Sequence, residues 1–179
     1  MKTYICIDIG GTSIKHGVIR ENGTFCEAGE MPTEAMEYGG PGILKKVHGI
    51  TREYLKSYHA EGICISTAGM VDCEKGLITY AAPLIPDYTG TEIKKSMETT
   101  FGIPCEVEND VNCAGLAESY AGAAKGARIS VCLTVGTGIG GAIIIDGKVF
   151  HGFSGSACEV GYMHLPGGEF QDLGASSIL

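Results

Sequence analysis

A strand, a glycine-rich turn and a second strand occur twice along this chain, and no other feature restricts its fold as strongly. In the first copy the β-branched run Tyr4–Asp8 leads into Gly10-Gly11 and a second run from 13 to 20. In the second copy, the apolar runs 129–135 and 139–145 flank Gly136-Thr137-Gly138. Each copy predicts an antiparallel meander. The shared order indicates a duplicated architecture, although the residues themselves are not repeated.

Between the two meanders, helical patterns alternate with short apolar strands. After Gly39-Gly40-Pro41-Gly42, apolar residues recur every three or four positions as far as Tyr58, which predicts a helix that opens at these glycines. The run 63–66 predicts a buried strand, parallel to the first strand because a crossover helix separates the two. This order is typical of an α/β protein with a mixed sheet.

The same alternation continues up to the second meander. A small hairpin is predicted over 70–80, followed by the irregular loop Pro83–Gly90 and by a helix that begins at a Thr91 cap. The run 105–108 predicts another strand, which leads into an Ala-rich helix over 110–123.

Charge and hydropathy exclude two classes of partner. The formal net charge is −8, and Lys45-Lys46 and Lys94-Lys95 are only isolated basic pairs, so nucleic acid is not an expected partner. The longest apolar run is far shorter than the roughly 20 residues that span a bilayer. The N-terminal apolar run is also interrupted by Asp8. We expect a cytoplasmic protein without a membrane segment.

Eight cysteines are scattered along the chain without the spacing of a metal site, and most lie in apolar runs. We interpret them as small buried apolar residues in a reducing compartment. His151 and His164 match no zinc-site spacing either, so structural or surface roles are favoured for both.

The first glycine turn carries the groups that a phosphate site requires. Asp8 lies near a strand end, Gly10-Gly11 can present bare backbone N–H groups, and Thr12 and Lys15 add a hydroxyl and a cation. These groups can hold phosphate oxygens and a hydrated Mg²⁺ ion, which Asp8 would contact through water. An ordinary Gly-Gly hairpin is the alternative, and the acid before the glycines favours phosphate.

The second glycine turn matches a dinucleotide-binding fingerprint only formally. Residues 136–141 read Gly-Thr-Gly-Ile-Gly-Gly, but that fingerprint must open a helix. The residues that follow, 142–147, instead predict a strand and a hairpin. No Rossmann site is predicted, yet the backbone N–H groups of Gly136, Thr137 and Gly138 can still hold phosphate.

A compact polar cluster, Glu108-Asn109-Asp110-Val111-Asn112, separates a predicted strand from a predicted helix. Asp110 can act as a general base if its carboxylate stays ionised, a state that the helix dipole favours. Asn109-Asp110 can equally be no more than the cap of that helix. The residues alone leave both interpretations open. Asp172, near the predicted start of a final helix, has the same ambiguity.

Taken together, these motifs resemble the ROK family, bacterial sugar kinases and sugar-responsive repressors with the actin-like ATPase (ribonuclease H-like) fold. The resemblance covers essentially all 179 residues. It rests on four motifs in order: Asp8-Ile9-Gly10-Gly11-Thr12 with Lys15, Ser66 to Asp72, Glu108 to Asn112 with Glu118, and Val135 to Gly141 followed by the loop to Glu159. It implies an N-terminal lobe over 1–113 and the beginning of a C-terminal lobe over 114–179.

The activity that the resemblance implies is ATP-dependent phosphorylation of a hexose or hexose derivative, with Mg²⁺ as cofactor. Asp110 then corresponds to the catalytic base. The implied sugar contacts are Asn109, Glu159, Tyr162 and Asp172. The implied phosphate and ATP contacts are Asp8, Gly10, Gly11, Thr12, Lys15, Gly136, Thr137 and Gly138, with Asp8 also serving Mg²⁺. A sugar and a nucleotide are thus the expected partners, and we expect a homo-oligomer, a dimer.

Two departures from the family pattern modify these expectations. Many members carry a Glu-x-Gly-His motif followed by a zinc-binding cysteine cluster, whereas Tyr162 occupies the His position and residues 167–172 contain no cysteine. We therefore predict no zinc site, and Asp172 in the place of a sugar-binding Glu. Family members also continue well past the length of this chain and supply the adenine pocket there. We expect little or no kinase activity from the 179 residues alone.

Two alternatives to a kinase stay open. Repressors of the family carry a DNA-binding segment before the first motif, which begins here at Asp8, so a transcriptional regulator is disfavoured. A non-catalytic sugar-binding module is the second alternative, because the adenine pocket is missing. The choice of sugar depends on the geometry of the loops Pro83–Gly90 and Gly152–Glu159.

Overall fold

The computed structural model describes residues 1–81 and 85–176, so part of the predicted loop Pro83–Gly90 lies outside the described residues. The chain forms two compact units, Met1–Asp110 and Val111–Leu179. The lobe boundary between residues 113 and 114 stays a prediction. Among the described residues, no helix is long and apolar enough to cross a bilayer.

The first unit is built on a mixed five-stranded sheet. Its elements are β1 (Thr3–Ile9), β2 (Ser13–Arg20), β3 (Phe25–Pro32), α1 (Ala35–Tyr54), β4 (Gly62–Thr67), β5 (Met70–Asp72), β6 (Leu77–Tyr80), α2 (Ile93–Phe101) and β7 (Cys105–Asn109). The sheet has the order β3-β2-β1-β4-β7. β1 is antiparallel to β2 and parallel to β4, and β4 is parallel to β7. The expected first meander and the parallel pairing after α1 are confirmed.

Strand alternation gives the two faces of this sheet different chemistry. Ile5, Ile7 and Ile9 of β1 are buried on one face, beside Ile63 and Ile65 of β4. The apolar stripes of α1 and α2 join the same core through Ile43, Val47, Ile50, Ile93 and Met97. The intervening residues of β1 and β4 lie on the opposite face, which is richer in polar groups and cysteines.

The glycine cluster in α1 is a kink between two helical segments and not the predicted start of the helix. α1 begins earlier, at Ala35, and Gly39 has a non-helical conformation with φ 55° and ψ −161°. Pro41 then falls in the first turn of the longer segment, where its missing N–H is tolerated. The Gly40 amide donates to the carbonyl of Pro86 at 2.8 Å instead of to a helical partner.

The predicted Thr91 cap is wrong. α2 begins at Ile93 with Glu92 in the N-cap position, and no side chain makes a cap hydrogen bond there. The Thr91 carbonyl accepts a hydrogen bond from the Ile78 amide at 3.1 Å, which ties this backbone to β6. The first amides of α2, those of Ile93 and Lys94, donate to the Gly76 carbonyl at 3.0 and 3.3 Å, and this backbone acceptor takes the place of side-chain capping.

The second unit contains the second meander. Its elements are α3 (Asp110–Ala121, whose first residue ends the first unit), β8 (Ile129–Val135), β9 (Ile139–Ile145), β10 (Lys148–Val149), a 3₁₀ helix (Val160–Tyr162), β11 (His164–Leu165), β12 (Gly168–Glu169) and α4 (Phe170–Gly174). The antiparallel order β10-β9-β8 confirms the predicted meander. α3 covers one face, where a Cβ on Gly115 would lie 3.0 Å from that of Ala142. On the opposite face β8 exposes Ile129, Val131, Leu133 and Val135.

The expectation of buried cysteines is wrong for most of them. Cys105 is buried, Cys64 is exposed and the other six are half-buried. No disulfide joins any of the eight, all of which lie in the described part of the chain. Strand alternation explains two of them, because Cys6 and Cys64 fall on the sheet face opposite the core.

Candidate active site

The carboxyl ends of three parallel strands meet at one edge of the first unit. Ile9, Thr67 and Asn109, the last residues of β1, β4 and β7, are aligned in the strand register. The chain continues from these ends into the Gly10-Gly11 turn and into Asp110. Ligands of open α/β sheets bind outside the carboxyl ends of the strands. This edge is therefore the candidate site.

A row of polar side chains crosses the sheet one residue before this edge. Lys15, Asp8, Ser66 and Glu108 are successive register partners on β2, β1, β4 and β7. The Ser66 hydroxyl donates to Asp8 Oδ1 at 2.7 Å, which fixes the orientation of a half-buried carboxylate. Lys15 is exposed next to it. The row places an oriented carboxylate beside an exposed cation.

Hydrogen bonds hold the first glycine turn in place, and the tip of the turn is exposed. The Gly10 amide donates to the Ser13 carbonyl at 3.0 Å. The buried Thr33 hydroxyl donates to the Gly10 carbonyl at 2.7 Å, and the Thr33 amide donates to the Thr12 carbonyl at 2.9 Å. Gly11 and Thr12 are exposed, and a Cβ on Gly11 would meet no atom within 4 Å. Such a turn leaves room for phosphate oxygens close to the backbone.

Asn109, the last residue of β7, makes hydrogen bonds to three neighbouring residues. Its Nδ2 group donates to the Gly69 carbonyl at 3.0 Å and to Asp110 Oδ1 at 2.9 Å. Its backbone amide donates to Glu108 Oε1 at 2.7 Å. Asp110 is the first residue of α3, where the helix dipole stabilises a negative charge. Asn109 thus orients the carboxylate predicted to act as a base.

A buried hydroxyl pair supports the strand end between β1 and β7. Thr67 Oγ1 and the Tyr88 hydroxyl are 2.7 Å apart, and both residues are buried. Burial raises the pKa of Tyr88 to about 12, and the hydrogen bond with Thr67 acts in the opposite direction. The phenol therefore stays neutral near pH 7 and serves as a structural hydrogen-bonding group.

The second glycine turn is also closed by backbone hydrogen bonds. The Gly136 amide donates to the Gly138 carbonyl at 2.9 Å, and the Ser176 amide donates to the Gly136 carbonyl at 2.9 Å. Thr137 lies at the exposed tip of this turn, between β8 and β9. The sequence prediction of a strand-to-strand turn, and not a helix start, is confirmed.

The remaining predicted sugar contacts lie on short elements of the second unit. Glu159 precedes the 3₁₀ helix and Tyr162 ends it, with the Tyr162 amide donating to the Glu159 carbonyl at 3.3 Å. Asp172 lies in the first turn of α4, which packs against that 3₁₀ helix. All three side chains are exposed.

The predicted site residues thus fall into two groups, one in each unit. The first unit gathers Asp8, Gly10, Gly11, Thr12, Lys15, Asn109 and Asp110 at one sheet edge. The second unit carries Gly136, Thr137, Gly138, Glu159, Tyr162 and Asp172.

Sequence reasoning missed three residues that support these groups. Thr33 and Tyr88 act through hydrogen bonds to residues that are distant in the sequence, and no local pattern marks them. Gln171 is the third: its Oε1 atom lies 3.6 Å from the Cβ position of Gly138 and 3.3 Å from that of Gly161. Gln171 therefore packs between the second glycine turn and the 3₁₀ helix. In the sequence, only its position next to the predicted sugar contact Asp172 pointed to a role at the site.

The fold agrees with that of solved proteins. A ROK family glucokinase from Streptomyces griseus, solved with glucose and AMPPNP, has a TM-score of 0.86 to this chain and 30% sequence identity. The match covers 98% of this chain and 58% of the glucokinase. The chain therefore has the actin-like ATPase fold, with a mixed sheet and helices.

Sequence relatives identify the family. The ROK family profile matches residues 4–175. An uncharacterized protein of Clostridium perfringens is 55% identical over 179 residues, which is 100% of this chain and 60% of that protein. An N-acetyl-D-glucosamine kinase of Vibrio atlanticus is 32% identical over 164 residues, which is 91% of this chain and 53% of the kinase. The chain belongs to the ROK family and spans less than two thirds of the length of these relatives.

Proposed function

We propose that this chain carries the catalytic base of an ATP-dependent sugar kinase. The observation that supports this most directly is the Asn109-Asp110 pair at the carboxyl end of β7, on the same sheet edge as the Asp8–Ser66 pair. Relatives named as a glucokinase and an N-acetyl-D-glucosamine kinase support a hexose or hexose derivative as the acceptor.

Asp110 is proposed to accept the proton of the attacking sugar hydroxyl. Its carboxylate is oriented by the Asn109 amide and lies at the start of α3, which favours the ionised form that a base requires. Phosphoryl transfer asks for little covalent chemistry from the protein, so positioning and charge neutralisation supply most of the rate. Asn109 would contribute by holding both the base and a sugar hydroxyl.

The first glycine turn and its neighbours fit a phosphate and Mg²⁺ site. Magnesium prefers one or two carboxylates and retains several waters, and Asp8 offers one carboxylate whose orientation Ser66 fixes. Gly10-Gly11 and Thr12 would face the phosphates, with Lys15 as the cation. The ion, when bound, would neutralise charge on the transferred phosphoryl group. The second turn, Gly136-Thr137-Gly138, is proposed to hold phosphate in the same way.

The other sugar contacts are proposed from the family resemblance together with exposure. Glu159, Tyr162 and Asp172 are exposed and carry groups that hydrogen-bond to hydroxyls. Tyr162 occupies the place of the family's usual His, so we propose a pocket without a structural zinc ion.

A coupled phosphorylation assay over glucose, mannose, N-acetylated hexosamines and β-glucosides tests the function. We expect the protein expressed from its own gene to phosphorylate at least one of these sugars with ATP and Mg²⁺. We expect the 179-residue chain alone to show little or none of that activity. Absence of phosphorylation across the panel, with sugar binding still detected by calorimetry, would replace the kinase with a sugar-binding module.

A further inference from the structure

Two cysteines lie side by side on the exposed face of the first sheet. Cys6 of β1 and Cys64 of β4 are direct partners in the parallel register. Their strand neighbours Ile5, Ile7 and Ile63 are buried in the core, so both thiols lie on the face opposite that core. Cys64 is exposed and Cys6 is half-buried, and the two side chains are hydrogen-bonded to each other.

We propose that Cys6 and Cys64 form a dithiol site that hydroperoxides oxidise to a disulfide across β1 and β4. Neighbouring strands lie about 4.7–4.9 Å apart, which is inside the range of about 4.4–6.8 Å between the Cα atoms of disulfide-bonded residues. Register partners of parallel strands also direct their side chains to the same face. The backbone therefore brings both sulfurs to one place without a change of fold.

Cys64 is the thiol that reacts first. The hydrogen bond from Cys6 lowers the pKa of the Cys64 thiol, while partial burial of its sulfur and the charge of Glu106 act in the opposite direction. The thiolate is the reactive form of cysteine, and exposure gives the oxidant access. Cys105 provides the contrast, because it is buried on the core face and burial raises its pKa to about 12.

The oxidation proceeds in two balanced steps. The Cys64 thiolate attacks the terminal oxygen of the hydroperoxide, the O–O bond breaks, and Cys64 becomes a sulfenic acid. The departing alkoxide, or hydroxide from hydrogen peroxide, takes up the proton that the Cys64 thiol released on ionisation and leaves as an alcohol or as water. The Cys6 sulfur then attacks the sulfenic sulfur, the S–O bond breaks, and water leaves with the Cys6 proton. The two sulfurs together lose two electrons, which the peroxide accepts.

The same geometry makes the disulfide reversible. Parallel side chains one strand spacing apart have their Cβ atoms slightly farther apart than the roughly 3.5–4.5 Å of a relaxed disulfide. The strands must therefore draw together slightly when the bond forms. Strained and exposed disulfides are the ones that thiols reduce most readily.

Mass spectrometry of the peroxide-treated 179-residue chain tests this proposal. After treatment with hydrogen peroxide and alkylation, we expect a peptide pair that links Cys6 to Cys64 within one chain, and its loss on addition of dithiothreitol. Cys64→Ser should abolish the link, and Cys6→Ser should leave Cys64 as a sulfenic acid that dimedone traps. Cys26→Ser is the matched control, since Cys26 lies half-buried on β3 of the same sheet and should leave the link intact.

Alkylation of the unmodified chain tests the same site without substitutions. Iodoacetamide should label Cys64 well before the buried Cys105. Equal labelling rates for these two cysteines would overturn the proposal. It would equally be overturned if no link between Cys6 and Cys64 formed under conditions that oxidise a reference peptide thiol, or if the link joined separate chains.

Discussion

Thr33 holds the first glycine turn through one buried hydroxyl, and Thr33→Val tests that role. Thr33 is 0% exposed, and its Oγ1 atom donates to the Gly10 carbonyl at 2.7 Å. Valine has nearly the same shape as threonine, so the new side chain still fills the site. The substitution removes the hydroxyl donor and leaves the Gly10 carbonyl without this hydrogen bond. This hydrogen bond is only partly buried, so its loss should cost about 0.5–1.5 kcal/mol, the usual net contribution of an intramolecular hydrogen bond. We expect the free energy of unfolding to fall by that amount.

Urea denaturation followed by far-ultraviolet circular dichroism measures this change, with Thr24→Val as the matched control. Thr24 is exposed before β3, where a substitution should alter stability by about 0.5 kcal/mol or less. Hydrogen exchange of the Thr33 amide, which donates to the Thr12 carbonyl, reports on the turn itself and should accelerate in Thr33→Val. Equal stability of the two variants, with unchanged exchange at the valine amide, would refute the role assigned to Thr33.

Two further predictions concern the core of the first unit. Met97 is 0% exposed, so Met97→Ala should destabilise the protein by about 2–5 kcal/mol, whereas Met36→Ala at a 70% exposed position should have little effect; thermal melts of both variants check this contrast. Burial raises the pKa of Tyr88 to about 12, because the folded protein favours the neutral phenol. The stability that comes from this preference is complete below the unfolded-state pKa of about 10. It is lost as the pH rises from there through the folded value. Between these pH values, the free energy of unfolding should therefore fall more steeply with pH in the wild type than in Tyr88→Phe. The Cys105 thiol adds the same pH dependence to both proteins. Identical slopes would contradict the raised pKa of Tyr88.

The strands were predictable because their patterns are local. The bounds of β8 and β9 agree with the prediction to the residue, since both are mostly apolar runs that end at glycine-containing turns. The parallel pairing of β1 with β4 followed from the crossover rule and the helical stripe between them. Local periodicity and connection length were sufficient for this part of the fold.

The errors and omissions have the opposite origin, because they depend on contacts between distant residues. Thr91 is a residue type that often caps helices, but its carbonyl accepts a hydrogen bond from the Ile78 amide of β6. Ser66 was recognised only as part of a motif, and its bond to Asp8 follows from a register that the sequence does not reveal. The cysteines were expected in the core, although alternation along β1 and β4 directs Cys6 and Cys64 to the other face.

The kinase proposal rests above all on Asp110 as the base, and steady-state kinetics of Asp110→Asn tests it most directly. The protein expressed from its own gene is assayed with the sugar that the panel identifies, beside Asp146→Asn as the control. Asp146 lies exposed in the turn between β9 and β10 with φ 51°, a conformation that asparagine tolerates. We predict that kcat falls by about 10²- to 10⁴-fold in Asp110→Asn and is unchanged in Asp146→Asn. Equal kcat values for wild type and Asp110→Asn would contradict the assignment of the base.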